Sequence, residues 1–267
     1  MQTKSGDHLT RIGATAAATL LAFLSAGTAA AAATALSGPN GYDRCLELVK
    51  HDPARASKEA AAWANAGGGA AALHCEALAL STLKRFPEAA RTLESAAANA
   101  GAANTPLRAE LFDQAGNAWL LAGNTAKAEA TLSSALTLSP RNEDILFDRA
   151  RARGAAKDWT GAIDDLTAVI AADPERADVY VLRASALHAQ GKADRARADI
   201  AHALAIYPAY PEALVERGTM RIEAGDRAGA RADWQQAARE APDSDAGAAA
   251  RARLAQFSVA APSKKKK

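Results

Sequence analysis

The sequence predicts an all-α protein, a solenoid of antiparallel helix pairs. Three observations carry that expectation. Pro140, Pro174, Pro208 and Pro242 recur every 34 residues, and self-similarity at such a period marks a stacked repeat architecture. Gly123, Gly191 and Gly225 fall near the middle of three of these periods, where a helix–turn–helix unit needs its turn. Finally, the apolar content is 49% with only 5% aromatic residues, much of it alanine. That mixture suits helices packed at close range better than a sheet with a large, β-branched interior.

In chain order, residues 1–35 read as an export signal. A weakly basic start, MQTKSGDHLTR, precedes an apolar stretch that turns to small residues, with Ala33–Ala35 as one of several small-x-small cleavage sites. An uncleaved membrane anchor is the alternative, disfavoured by the weak hydrophobicity of the alanine-rich half. Residues 36–69 read as a linker and a degenerate first hairpin. Five units follow at 70–103, 109–142, 143–176, 177–210 and 211–243. The first has Gly101 where the closing proline should stand, and about five extra residues follow it. Residues 244–258 read as a helix that covers the last apolar face, which a solenoid requires. The remainder, 259–267, is a lysine-rich tail expected to be disordered. The pattern calls for about thirteen helices and no strand.

Net charge is +2, but the positive excess comes from the leader and from Lys264–Lys267. The body between them still holds most of the lysines and arginines but slightly more acids, which argues against a nucleic-acid binder. Cys45 and Cys75 are the only cysteines. In an exported chain an even count points to a disulfide, worth roughly 3–4 kcal/mol for a loop of this length in the chain-entropy picture. Two buried free thiols are the alternative. His51 and His74 lie nearby but match no metal-ligand spacing.

Numbering each unit so that its proline is place 32 brings further regularities into phase. Place 20 is Ala128, Ala162, Ala196 and Ala230; place 8 is Gly116, Ala150, Ala184 and Gly218. Place 24 is Leu132, Leu166, Ile200 and Trp234; place 27 is Ala135, Val169, Ala203 and Ala237. Small residues recur where helices must approach, and large ones where gaps must be filled. This sequence pattern resembles the tetratricopeptide repeat (TPR), over roughly 70–242 and more loosely 42–242. The resemblance implies a right-handed superhelix of helix pairs with an inner groove lined by first helices.

Place 7 is arginine in three units, Arg149, Arg183 and Arg217, and place 23 is aspartate in the same three, Asp165, Asp199 and Asp233. Both places are equidistant from the turn near place 15, so they stand at one height of the hairpin. The expectation is a structural Arg–Asp pair per unit, with the fork meeting the carboxylate in bidentate fashion. A ligand-binding arginine is the competing reading.

No catalytic motif occurs: there is no G-x-S-x-G, no H-E-x-x-H and no phosphate loop. The expectation is a non-enzymatic protein without cofactor or metal. Function then lies in the surface. Carried onto this chain, the groove places that the TPR resemblance implies are Glu110, Asp113 and Asn117, then Asp144, Asp148 and Arg151. Asp178, Val181, Ser185 and His188 follow, and then Glu212 and Glu216. Members that clamp a peptide carboxylate use Lys, Asn and Arg at such places. Here acids dominate, and only Asn117 and Arg151 remain. The preferred expectation is an interaction scaffold of a bacterial periplasm or envelope that binds a neutral-to-basic, extended partner segment. The alternative is an envelope tether whose Lys264–Lys267 grip anionic lipid or polymer.

Overall fold

The computed structural model describes residues 36, 38 and 40–259. The expected leader and most of the lysine tail lie outside them. Among the described residues every regular element is helical. They are α1 (Gly41–His51), α2 (Pro53–Trp63), a π-helical turn (Ala64–Gly68), α3 (Gly69–Thr82) and α4 (Phe86–Asn99). Next come α5 (Thr105–Leu121), α6 (Thr125–Leu138), α7 (Glu143–Ala155), α8 (Trp159–Ala172), α9 (Ala177–Ala189) and α10 (Ala193–Ile206). α11 (Pro211–Glu223), α12 (Arg227–Glu240) and α13 (Asp245–Val259) complete the series.

The chain divides into two compact units after Gly101. The division falls where the 34-residue phase slips, because neither a closing proline nor a standard loop length is present there. In the first unit Cys45 of α1 and Cys75 of α3 form a disulfide, with their Cα atoms 6.3 Å apart. Both half-cystines are fully buried beside Leu36 and Ala60, with Tyr42, Val49 and Trp63 packed around them. A covalent tie suits a hairpin whose sequence has lost most of the repeat's packing residues.

In the second unit, α5 to α13, the helix ends follow from local chemistry. Each second helix stops two residues before its proline, at Leu138, Ala172, Ile206 and Glu240. The intervening residues Ser139, Asp173, Tyr207 and Ala241 all take extended or near-extended backbone, as clash with the proline ring demands. The middle turn always passes through left-handed backbone at place 15. Gly123, Gly191 and Gly225 have φ of 74°, 74° and 83°, and Lys84 and Lys157 occupy the same place at 58° and 64°. The next amide reaches back across the turn, for example from Asn124 to the Trp119 carbonyl at 2.9 Å, closing the first helix in the manner of a Schellman motif. Asn124, Asp158 and Asp226 then cap the second helices through side-chain oxygens.

The core is built from the in-phase places. The alanines of place 20 and the residues of place 27 are essentially inaccessible, and Leu132, Leu166, Ile200 and Trp234 fill the space between helices. Place 8 lies directly over place 24. A Cβ on Gly116 would stand 2.4 Å from Leu132 Cγ, and one on Gly218 would stand 2.4 Å from Trp234 Nε1. Glycine therefore lets the larger or differently angled partner in. The Trp234 indole donates to the Val215 carbonyl at 3.2 Å. α13 packs against α12 and α11, with Phe257 edge-on to Trp234 and Arg227 over the Phe257 ring at 4.3 Å.

Candidate binding face

Within the second unit the first helices α5, α7, α9 and α11 each touch the next, so their side chains form one continuous face. Two systems of polar side chains stand on this scaffold, one between paired helices and one on that face.

The first is the Arg–Asp ladder. Arg149 donates to Asp165 through Nε at 2.9 Å and Nη2 at 2.7 Å. Arg183 meets Asp199 with both contacts at 2.8 Å, and Arg217 meets Asp233 at 3.0 and 2.7 Å. The three aspartates are buried, so each needs the fork that faces it. The bond to Asp199 is also the main reason the Arg183 guanidinium holds its proton more firmly than usual, against the pull of burial. The rungs are unequal. Arg153 adds an Nη1 contact to Asp165 at 2.9 Å, and Arg221 adds one to Asp233 at 2.8 Å. Asp199 has no such second arginine, because place 11 of its unit is Leu187. Arg153 and Arg221 were legible only as a two-period recurrence, which a search for one-period regularity passes over.

The second system lies on the first-helix face. Arg151 bridges Asp148 at 2.8 Å and Asn117 at 3.2 Å, and Asn117 in turn donates to Asp148. Arg176, from the loop before α9, reaches Asp144 at 3.0 Å and Asp178 at 2.8 Å and covers the Phe147 ring. It occupies no groove place in the repeat pattern, which is why the sequence did not nominate it. Gln114 donates to Glu110 at 3.3 Å. Both ring nitrogens of His188 face carboxylates, Glu216 at 3.2 Å and Glu223 at 2.7 Å. Only the imidazolium can donate to both. Burial works against that charge, but the bonds to Glu223 and Glu216 outweigh it and raise the His188 pKa.

Asp113 is the exception among these carboxylates. Its Oδ1 is buried and meets no hydrogen-bond donor. Burial, then the charges of Asp148, Asp144 and Glu110, push its pKa up to about 7, with Arg151 opposing. Val181 and Ser185 sit on α9, partly buried. Between α5, α7 and α9 opens a mostly apolar notch of about 340 Å³, lined by Leu120, Gly154, Trp159, Leu182 and Ser185 among others. Glu212 stands exposed at the start of α11 and, after burial, helps raise the Tyr210 hydroxyl to about 12. No group of three or more His, Cys, Asp or Glu side chains among the described residues is placed to hold a metal ion.

Residues 212–244 match the sequence model of the tetratricopeptide repeat. The fold is that of a tetratricopeptide-repeat solenoid. The TPR protein of Parabacteroides merdae ATCC 43184 superposes with a TM-score of 0.61 at 17% identity, over 90% of this chain and 95% of that one. MamA of Desulfovibrio magneticus RS-1, from its residue 41 onward, gives 0.56 at 19% identity, over 66% and 97%. TTC0263, a TPR protein of Thermus thermophilus, gives 0.56 at 20%, over 70% and 97%. No curated protein sequence matches the chain. At these identities the likeness is one of fold, so what this helical array does has to be argued from its own residues.

Proposed function

We propose that the chain is a non-enzymatic interaction scaffold that takes an extended, neutral-to-basic segment of another protein along its first-helix face. The observation that carries this reading is Asp113, whose buried Oδ1 meets no donor, standing among Asp148, Asp144 and Glu110 and near Arg151, itself one of the residues that line the apolar notch. A lysine or arginine from a partner would offset the charge that Asp148, Asp144 and Glu110 gather around Asp113, and an apolar side chain would fill the notch. Carboxylates outnumber bases on this face even after Arg151, Arg176 and His188 are counted. Complementary charge of this kind steers encounter and register more than it sets affinity. The Cys45–Cys75 disulfide supports work outside the reducing cytoplasm, and with the leader-like start of the chain it favours a periplasm or envelope.

The test is selection from a random peptide library on the immobilised chain. Enrichment of lysine or arginine spaced one or two residues from an apolar side chain is expected. It should disappear with Asp113→Lys, Asp148→Lys and Glu216→Lys combined, once circular dichroism shows the helices intact. Peptide capture that is indifferent to all three reversals would sink the proposal.

A further inference from the structure

The inter-unit joints of the second unit differ in a way that the packing places do not explain. At the α6–α7 joint, Glu129 (place 21) accepts from Arg153 Nε at 2.9 Å, and Ser133 Oγ (place 25) accepts from Arg149 Nη1 at 3.3 Å. At the α8–α9 joint the first contact is replaced by the apolar residues Ile163 and Leu187, while Thr167 Oγ1 still accepts from Arg183 Nη1 at 3.2 Å. At the α10–α11 joint both acceptors are gone. Place 21 is Arg197, facing Arg221, and place 25 is Ala201, opposite Arg217. This joint is also the most loosely packed of the three. It encloses a cavity of about 240 Å³ lined by Arg197, Arg217 and Arg221 over Ile200, Ala201 and Met220, with Ala224 at its edge.

The geometry points to an anion site at the α10–α11 joint, one that takes a small carboxylate on a short apolar stem. Buried Asp233 neutralises one of the three arginines. Asp194, against Arg197, and Asp226, 3.6 Å from Arg221, are 96% and 51% exposed and therefore largely screened. Arg217 Nη1 meets no acceptor on α10, and the Arg197 fork meets there only the exposed Asp194 of its own first turn; both guanidiniums line the cavity. Guanidinium forks match carboxylate geometry. The floor is apolar, which asks for a hydrocarbon stem rather than a bare oxyanion. The volume lies below the roughly 300 Å³ at which drug-sized pockets begin, so the stem is short.

Hexanoate is the probe, with hexanamide matching its shape without charge and inorganic phosphate supplying charge without a stem. Calorimetric titration of the full chain should show saturable hexanoate binding in the low millimolar range, and both controls weaker by about tenfold or more. Arg197→Glu would recreate the acid–base contact of the α6–α7 joint. Ala201→Ser would place a hydroxyl opposite Arg217. Neither empties the core, and each should weaken hexanoate, Arg197→Glu by about tenfold or more. Absent saturation, equal binding of hexanamide or phosphate, or hexanoate binding that survives Arg197→Glu, overturns the assignment.

Discussion

The α6–α7 and α10–α11 joints share a backbone plan and differ in chemistry. Both put an alanine at place 20, a large residue at place 24 and a glycine or alanine at place 8, and all are buried. One joint is closed by Glu129–Arg153 and Ser133–Arg149. The other presents Arg197 to Arg221 and Ala201 to Arg217 around a cavity. Packing places specify that helices stack, whereas places 11, 21 and 25 change character from joint to joint, from the buried Leu187 and Ile163 to the partly exposed Arg197 and Arg221. New chemistry can therefore arise at a joint while the fold is kept.

The largest expected effect comes from the ladder, where the joints differ in redundancy. Arg183→Ala leaves buried Asp199 with no second arginine and should cost about 3–5 kcal/mol in urea unfolding. Arg149→Ala and Arg217→Ala should each cost clearly less, because Arg153 and Arg221 still hold Asp165 and Asp233. Equal losses at all three positions would show that the second arginines do not compensate.

These cases also show what the sequence could and could not disclose. The period, the helix ends and the three main rungs were legible because they repeat in phase, and repetition separates a structural arginine from an incidental one. Lys84 and Lys157 at the turn were not legible, since neither residue type advertises left-handed backbone. Arg176 was not, because it enters the first-helix face from a loop. The vacant acceptors at α10–α11 need two units set side by side in space, since Arg197 and Ala201 alone read as ordinary solvent-facing helix residues.

Asp113 extends the question of uncompensated charge to the first-helix face. With a folded pKa near 7, it keeps its proton when folded and loses it near pH 4 when unfolded. Stability should therefore fall as pH rises between those values. Asp113→Asn should be nearly neutral at pH 4 and stabilising by about 1–2 kcal/mol at pH 8, allowing for solvent screening. His188, whose pKa is raised, contributes stability that is lost only as pH climbs through its own higher value. A pH-independent effect of Asp113→Asn would remove the central observation behind the proposed partner.

A smaller effect is expected at the turn. Lys157 has φ of 64° where three other units have Gly123, Gly191 and Gly225, so Lys157→Gly should raise stability by up to about 1 kcal/mol. An unchanged or lower melting temperature would mean that the lysine is held there by contacts worth more than the strain.

The smallest effect, and the most direct exchange between the two joints, is charge swapping at place 21. Arg197 is about half exposed and Arg221 about a third. Arg197→Glu should therefore add only about 0.5 kcal/mol, fading in high salt as the pair is screened. The reciprocal Glu129→Arg should cost more than that, because Arg153 is only 19% exposed and burial already works against its charge, which the bond to Glu129 and the fields of Asp165 and Asp158 sustain. Equal and opposite effects would mean that the joints differ in charge alone. The expected asymmetry would mean that they differ in packing as well, with the tighter joint requiring its acid and the looser one able to leave its arginines to solvent or to a bound anion.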